Sequence, residues 1–285
     1  MSVLIFLRPH SATTAALLLA RAVPDSSFVL ARGSGIPRTL SGRLFAPRKP
    51  LELTGLDLAY VVAGDTIAAV PVDEMVGQSL EVVFHEMFHV FQANAFVTSS
   101  AVSEIFDDPV VLTDSFRKLA ETERMILATA LAAPRLPEMK HRARQYLAVR
   151  RARIATVTAH VRALERQLER LEGTAHLVGY QLAFATTRGR VSAATDSVLH
   201  DLRRSLDTYP AGLNAQWPLM RWRLYGTGAA MGLLLDRLQT DWRGDVQRGA
   251  VLDELLAIAI AFNDSSAAQL AIQAIAEFHP PLLRH

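Results

Sequence analysis

The apolar residues change period at Asp73, and beyond that point nearly all of them recur in steps of three and four. That spacing restricts the rest of the chain to helices packed on helices. It predicts helices over 74–97, 109–133, 138–185, 191–207, 217–238, 249–262 and 264–277, with Pro134, Pro137, Pro210 and Pro218 between or beside them. Within 138–185, Ile154, Val157, Val161, Leu164, Leu168, Leu171, Ala175 and Val178 form a coiled-coil-type seam. Its partner is expected to be the preceding helix, running antiparallel across the Pro134–Pro137 connection. Before Asp73 the character is strand-like. Leu58 to Ala63 and Thr66 to Val72 flank Gly64-Asp65 and read as a β-hairpin. The expectation is one mainly α domain over 1–285, with a small β region within 1–73 and a helical hairpin over 109–165.

Composition narrows the chemistry. Half of the 285 residues are apolar, enough for a substantial core. No apolar stretch reaches the length of a membrane span. The absence of cysteine excludes thiolate metal sites and a cysteine nucleophile, so any metal must be held by His, Asp or Glu. Thirty basic against 28 acidic residues do not mark a nucleic-acid partner, and none is expected. At the N-terminus Arg8 falls between two short apolar runs, Met1–Leu7 and Ala15–Ala20, instead of ahead of one. These runs read as ordinary buried structure, and the expected compartment is cytoplasmic.

Within 74–98 lies His85-Glu86-Met87-Phe88-His89, an H-E-x-x-H. Histidines four apart on a helix share one face, so both imidazoles can reach one metal ion, while Glu86 between them can act as general base on a water. The neighbours Val82, Val83, Phe84, Val90 and Phe91 are apolar, so polar groups among them need a reason. The plainer alternative is a pair of hydrogen-bonded histidines in a helix. A catalytic zinc takes three protein ligands. Gln92 and Ala95 stand where a metzincin has glycine and histidine, which removes that class. Glutamate is the next option, and both Glu104 (followed by Asp107 and Asp108) and Glu172 offer one.

H-E-x-x-H followed on a later helix by Glu172-Gly173-Thr174-Ala175, an E-G-x-A, resembles the gluzincin metallopeptidases, in particular their aminopeptidase-N-like and glycyl-aminopeptidase groups. Tyr225-Gly226-Thr227-Gly228, leading an apolar helix, is similar to the Tyr-x-x-G segment of the same family. The resemblance implies a zincin-like metallopeptidase domain with one Zn²⁺ per chain, held by His85, His89 and Glu172. It further implies Glu86 as base, Tyr225 as the hydroxyl that stabilises the oxyanion, and a peptide or protein as substrate. Eighty-two residues separate His89 from Glu172, so the 109–165 hairpin is read as an insertion, and 166–285 as the helical part that carries the third ligand. The segment Asp65–Val72 lacks the family's amine-binding glutamate and is read as an edge strand that can pair with an extended substrate.

The residues carry readings of their own. Glu172 lies beside Leu171 at the margin of the seam and would point at a neighbouring element; otherwise it is an exposed partner of Arg166 or Arg170. Gly173 permits close approach of another helix or a substrate. Tyr225 could equally be an aromatic core contact. His176, one turn after Glu172, could orient a ligand, touch substrate or be a core histidine, and Gln92 could support His89. Glu169 reads as solvated. Two functions of other classes compete with hydrolysis. One is a zinc-bound pseudo-enzyme. The other is a binding module using the basic run Lys140 to Arg170, although such a run is more simply the wet face of a long helix.

Overall fold

The computed structural model describes residues 28–31, 38–39, 58–62, 65–71, 80–97, 108–186, 191–204 and 221–278, and among these the protein is mainly helical. The N-terminal apolar runs, the Gly64 turn position, Glu104, Asp107 and the helix starts at 74–79 and 217–220 lie outside them. No single helix among the described residues is long and apolar enough to cross a membrane. The chain divides into two units, 1–96 with 175–194 and 97–174 with 195–285.

The first unit holds strands β1 (Phe28–Ala31), β2 (Arg38–Thr39), β3 (Leu58–Val62) and β4 (Asp65–Pro71), in the order β2-β1-β4-β3. Strands β3 and β4 pair antiparallel, with Tyr60 opposite Ile67, while β1 runs parallel to β4. Strand β4 therefore has both flanks occupied and is not the edge expected of 66–72. The edges among the described strands are β2 and β3. Helix α1 (Leu80–Ala95) packs on β4 and also touches β3. Its apolar character comes partly from aromatics: Phe84 is fully buried, and the rings of Phe88 and Phe91 each meet Phe96 edge-on.

The second unit is built on α2 (Asp114–Ala132) and α3 (Leu136–Ile154), joined across Ala133–Arg135 and packed along each other. Thr113 caps α2 by accepting from the Phe116 amide, and Pro137 in the first turn of α3 occupies a position that needs no N–H donor. This pair does not project alone. It packs on α7 (Arg223–Arg237), α9 (Leu252–Ala259) and α10 (Ala267–Phe278), and the unit also holds the short α8 (Arg243–Gln247). Ile126, Leu127, Met139, Leu147 and Leu234 are all 1% exposed or less, and each such side chain contributes about 1.5–3 kcal/mol of burial.

The long helix expected over 138–185 breaks at Ala155–Thr158. Thr158 caps α4 (Ala159–Leu168) by accepting from the Val161 amide, and Asp108 accepts from the Thr158 amide. Asp108 also accepts from the Val110 amide, so its carboxylate serves these backbone ends. From α4 the chain continues as a π-helical turn, Glu169–Gly173, and then as α5 (Thr174–Thr186). The seam holds through Leu168, which is 4% exposed. A π turn carries an extra residue, so the buried face shifts: Leu171 becomes half-buried while Glu172 and Gly173 turn inward. Helix α6 (Val191–Arg203) follows, and Arg124 donates to the Asp201 and Arg204 carbonyls at its end.

The basic run is not a wet face. Arg150, Arg153 and Arg170 are buried, and none of the other basic residues from Lys140 to Arg166 is fully exposed. Arg153 forks onto Glu123 and Glu165, stacked over the Phe116 ring. Arg223 reaches the same Glu165. Arg150 forks onto Glu169 and also donates to Asp253 Oδ2, the same oxygen that Arg166 holds. Glu169 is thus 1% exposed and paired, not solvated as its sequence context suggests. Burial alone would raise the Glu165 carboxyl, but Arg153 and Arg223 pull it down to about 2. At Glu169 burial prevails over Arg150 and the carboxyl is raised.

Candidate metal centre

Helix α1 approaches α5 closely because Gly179 has no side chain. A Cβ there would lie 2.6 Å from the Glu81 carbonyl oxygen and 3.4 Å from the His85 Cβ. The contact lays the H-E-x-x-H turn beside α5. The His85 ring meets the His176 ring edge-on at 6.1 Å, and His176 in turn meets Tyr180 at 4.5 Å. His176 therefore stands in a ring stack against a candidate ligand, and its nearest described role is to hold the His85 ring.

Along α1 the i, i+4 spacing brings the two imidazoles together, with His85 Nε2 2.9 Å from His89 Nε2. The Gln92 side-chain oxygen accepts from His89 Nδ1 at 2.7 Å. That bond places the His89 proton on Nδ1 and leaves Nε2 with its lone pair, the tautomer a metal requires. Glu86 is 6% exposed, and its Oε1 lies 3.9 Å from His85 Nε2. These polar groups sit in a largely apolar helix, an arrangement that needs compensation.

Glu172 lies one turn before His176 on the continuous helical run through the π turn. His85, His89 and Glu172 each offer one ligand atom, and the three atoms lie within 4.8 Å of one another, so this cluster could bind a metal ion. Two imidazole nitrogens and one carboxylate oxygen are a donor set that divalent transition-metal ions accept, zinc and iron(II) among them. The fit is further supported by Gln92 behind His89.

The residues around Glu172 are set by a second close crossing. A Cβ on Gly173 would lie 2.5 Å from the Gly228 Cα, so the π turn and α7 touch backbone to backbone. The close approach expected of Gly173 is thus made by a helix. Thr227 donates to Glu169 across the same crossing at 2.8 Å. This register brings the start of α7 onto Glu172. Arg221 Nη2 donates to Glu172 Oε1 at 2.7 Å, and Arg221 Nε donates to the Tyr225 hydroxyl oxygen at 3.3 Å. The Tyr225 hydroxyl also bonds Glu172, and burial together with the Glu172 charge raises its pKa well above the ordinary range. Tyr225 is therefore a protonated donor, and in this structure its partner is Glu172. The Trp222 ring stacks on it at 6.2 Å.

Arg166 and Arg170, the cations nearest to Glu172 in sequence, are engaged elsewhere. Arg166 serves Asp253 and Glu254, and Arg170 donates to the Val246 and Val97 carbonyls. Sequence reasoning missed Arg221, whose only signal was its place four residues before Tyr225. No protein-family model, no curated protein and no solved structure matches this chain.

Proposed function

We propose that this protein is a zinc-dependent peptide-bond hydrolase of gluzincin type, with a zincin-like catalytic region and its long helical segment inserted before the third ligand. The observation that carries the reading is the cluster of His85, His89 and Glu172, with Glu86 beside His85. The order H-E-x-x-H, E-G-x-A and Tyr-x-x-G along the chain supports it. His85, His89 and Glu172 would hold one zinc ion. When bound, zinc supplies Lewis acidity that polarises a carbonyl and makes a water acidic near neutral pH. Glu86 takes the proton of the attacking water and passes it to the leaving nitrogen. Gln92 keeps the His89 ring in its ligand tautomer throughout. The Tyr225 hydroxyl, held protonated, is the donor suited to a developing oxyanion once it exchanges its bond to Glu172 for one to substrate. Among the described strands β3 lies at an edge of the sheet and touches α1, and an extended peptide would pair there.

Purified protein is expected to carry one zinc per chain and to cleave a broad peptide library. A chelator should abolish cleavage and added zinc should restore it. Protein that holds no zinc at all would sink the reading. Zinc-loaded protein that cleaves nothing would favour a pseudo-enzyme that keeps the metal.

A further inference from the structure

A carboxylate as covered as Glu172, 8% exposed, needs a compensating charge. Arg221 provides it through a 2.7 Å bond to Oε1. The guanidinium is fixed at a second point by the Tyr225 hydroxyl, and Tyr225 is itself stacked on Trp222. The metal reading puts a second cation on the same carboxylate. Two cations that share one carboxylate repel each other, and each lowers the affinity of the other for it by the same factor.

We propose that Arg221 is a resident counter-cation for Glu172, one that neutralises this carboxylate without metal and sets the zinc affinity of the centre below what the two histidines and the glutamate would reach alone. The inference rests on the zinc reading above. It makes the centre differ from sites whose folding depends on their metal, because the third ligand is already neutralised before any metal arrives. It also gives Arg221 a role that acts through Glu172, so it is a positioning residue and not a catalytic one.

The test compares the full-length wild type with Arg221→Gln and Arg221→Lys. Zinc affinity is measured by competition with a chromophoric chelator, and thermal unfolding is followed with and without zinc. Arg221→Gln keeps a hydrogen-bond donor and removes the charge. It should bind zinc about tenfold more tightly or better, melt lower without metal, and gain more from added zinc. Arg221→Lys keeps the charge and should stay close to wild type in zinc affinity. An Arg221→Gln protein that folds only with zinc present supports the proposal, and one that folds in neither condition overturns it. Equal or weaker zinc binding by Arg221→Gln also overturns it, as does tightening by lysine equal to that by glutamine. A wild type that binds no zinc brings down the metal centre and this inference together, whereas a zinc-binding wild type with an unchanged glutamine variant brings down the inference alone.

Discussion

Around Arg150 and Arg153 buried guanidinium groups meet buried carboxylates fork to fork, whereas at His85, His89 and Glu172 two imidazole nitrogens and a carboxylate oxygen gather within 4.8 Å. The first arrangement matches each cation with anions and directs the bonds into the protein; among the described residues of this network, Asp253 Oδ1 is the side-chain atom left without a partner. The second brings two imidazole nitrogens and a carboxylate oxygen to a common point, with Arg221 holding the carboxylate from outside. Burial of charge is common to both, so burial by itself does not mark a site. What distinguishes them is whether the donors and acceptors cancel or converge.

Substitutions should separate the two regions by readout. The largest effect is expected from Glu86→Gln, which should keep zinc and its melting temperature and lose about 10³–10⁴-fold in turnover on a cleaved peptide. A fully active Glu86→Gln protein would break the comparison at its functional end. Arg153→Ala should do the opposite. It leaves Glu123 and Glu165 buried without their shared cation and should cost about 3–5 kcal/mol in urea unfolding, without any direct effect on zinc affinity.

Tyr225→Phe sharpens the comparison inside the centre. If the hydroxyl serves the oxyanion, kcat should fall about 10²–10³-fold with zinc affinity little changed. A change confined to zinc affinity would assign Tyr225 to Glu172 alone. The smallest effect concerns acid. Glu165 titrates at about 2 in the folded chain, below its ordinary value near 4.5, so its stabilisation is complete above about 4.5 and is lost as pH falls toward 2. Full loss is worth about 3 kcal/mol. Glu169, raised by burial, works in the other direction and blunts the fall. Urea unfolding at pH 5 and pH 3 should show the stability lower at pH 3; equal or greater stability at pH 3 would mean that the network does not hold Glu165 ionised.

Much of the centre was legible in the sequence because its geometry is local. The i, i+4 histidines, Glu86 between them and Gln92 one turn on need only a helix to meet. Glu172 was legible through its E-G-x-A context and was expected to point at a neighbouring element, but the turn that brings it inward was not legible. The seam spacing put it at a margin, and the π turn that rotates it has no distinguishing composition. The helix break at Ala155–Thr158 was hidden for a related reason: Thr158 caps α4 with its own hydroxyl, while its amide bonds Asp108, fifty residues away. The ion-pair core was the least legible part. Arg150 finds Asp253 across 103 residues, and Arg223 finds Glu165 across 58, separations at which charged residues on a helix look solvated. The strand taken for an edge was misplaced because its parallel neighbour β1 lies more than thirty residues upstream.

The π turn at Glu169–Gly173 has a consequence for how the length of this chain can vary. An α-helix places successive residues about 100° apart, so removing one residue from the turn would close it into regular helix and rotate everything on one side by that angle. His176 would then leave the His85 ring, or Glu169 would leave Arg150. Single-residue deletions between Leu168 and Thr174 should therefore be far more damaging than deletions of the same size at Ala155–Thr158, where the helix is already interrupted. The helical run tolerates change of length at one place and fixes it at the other.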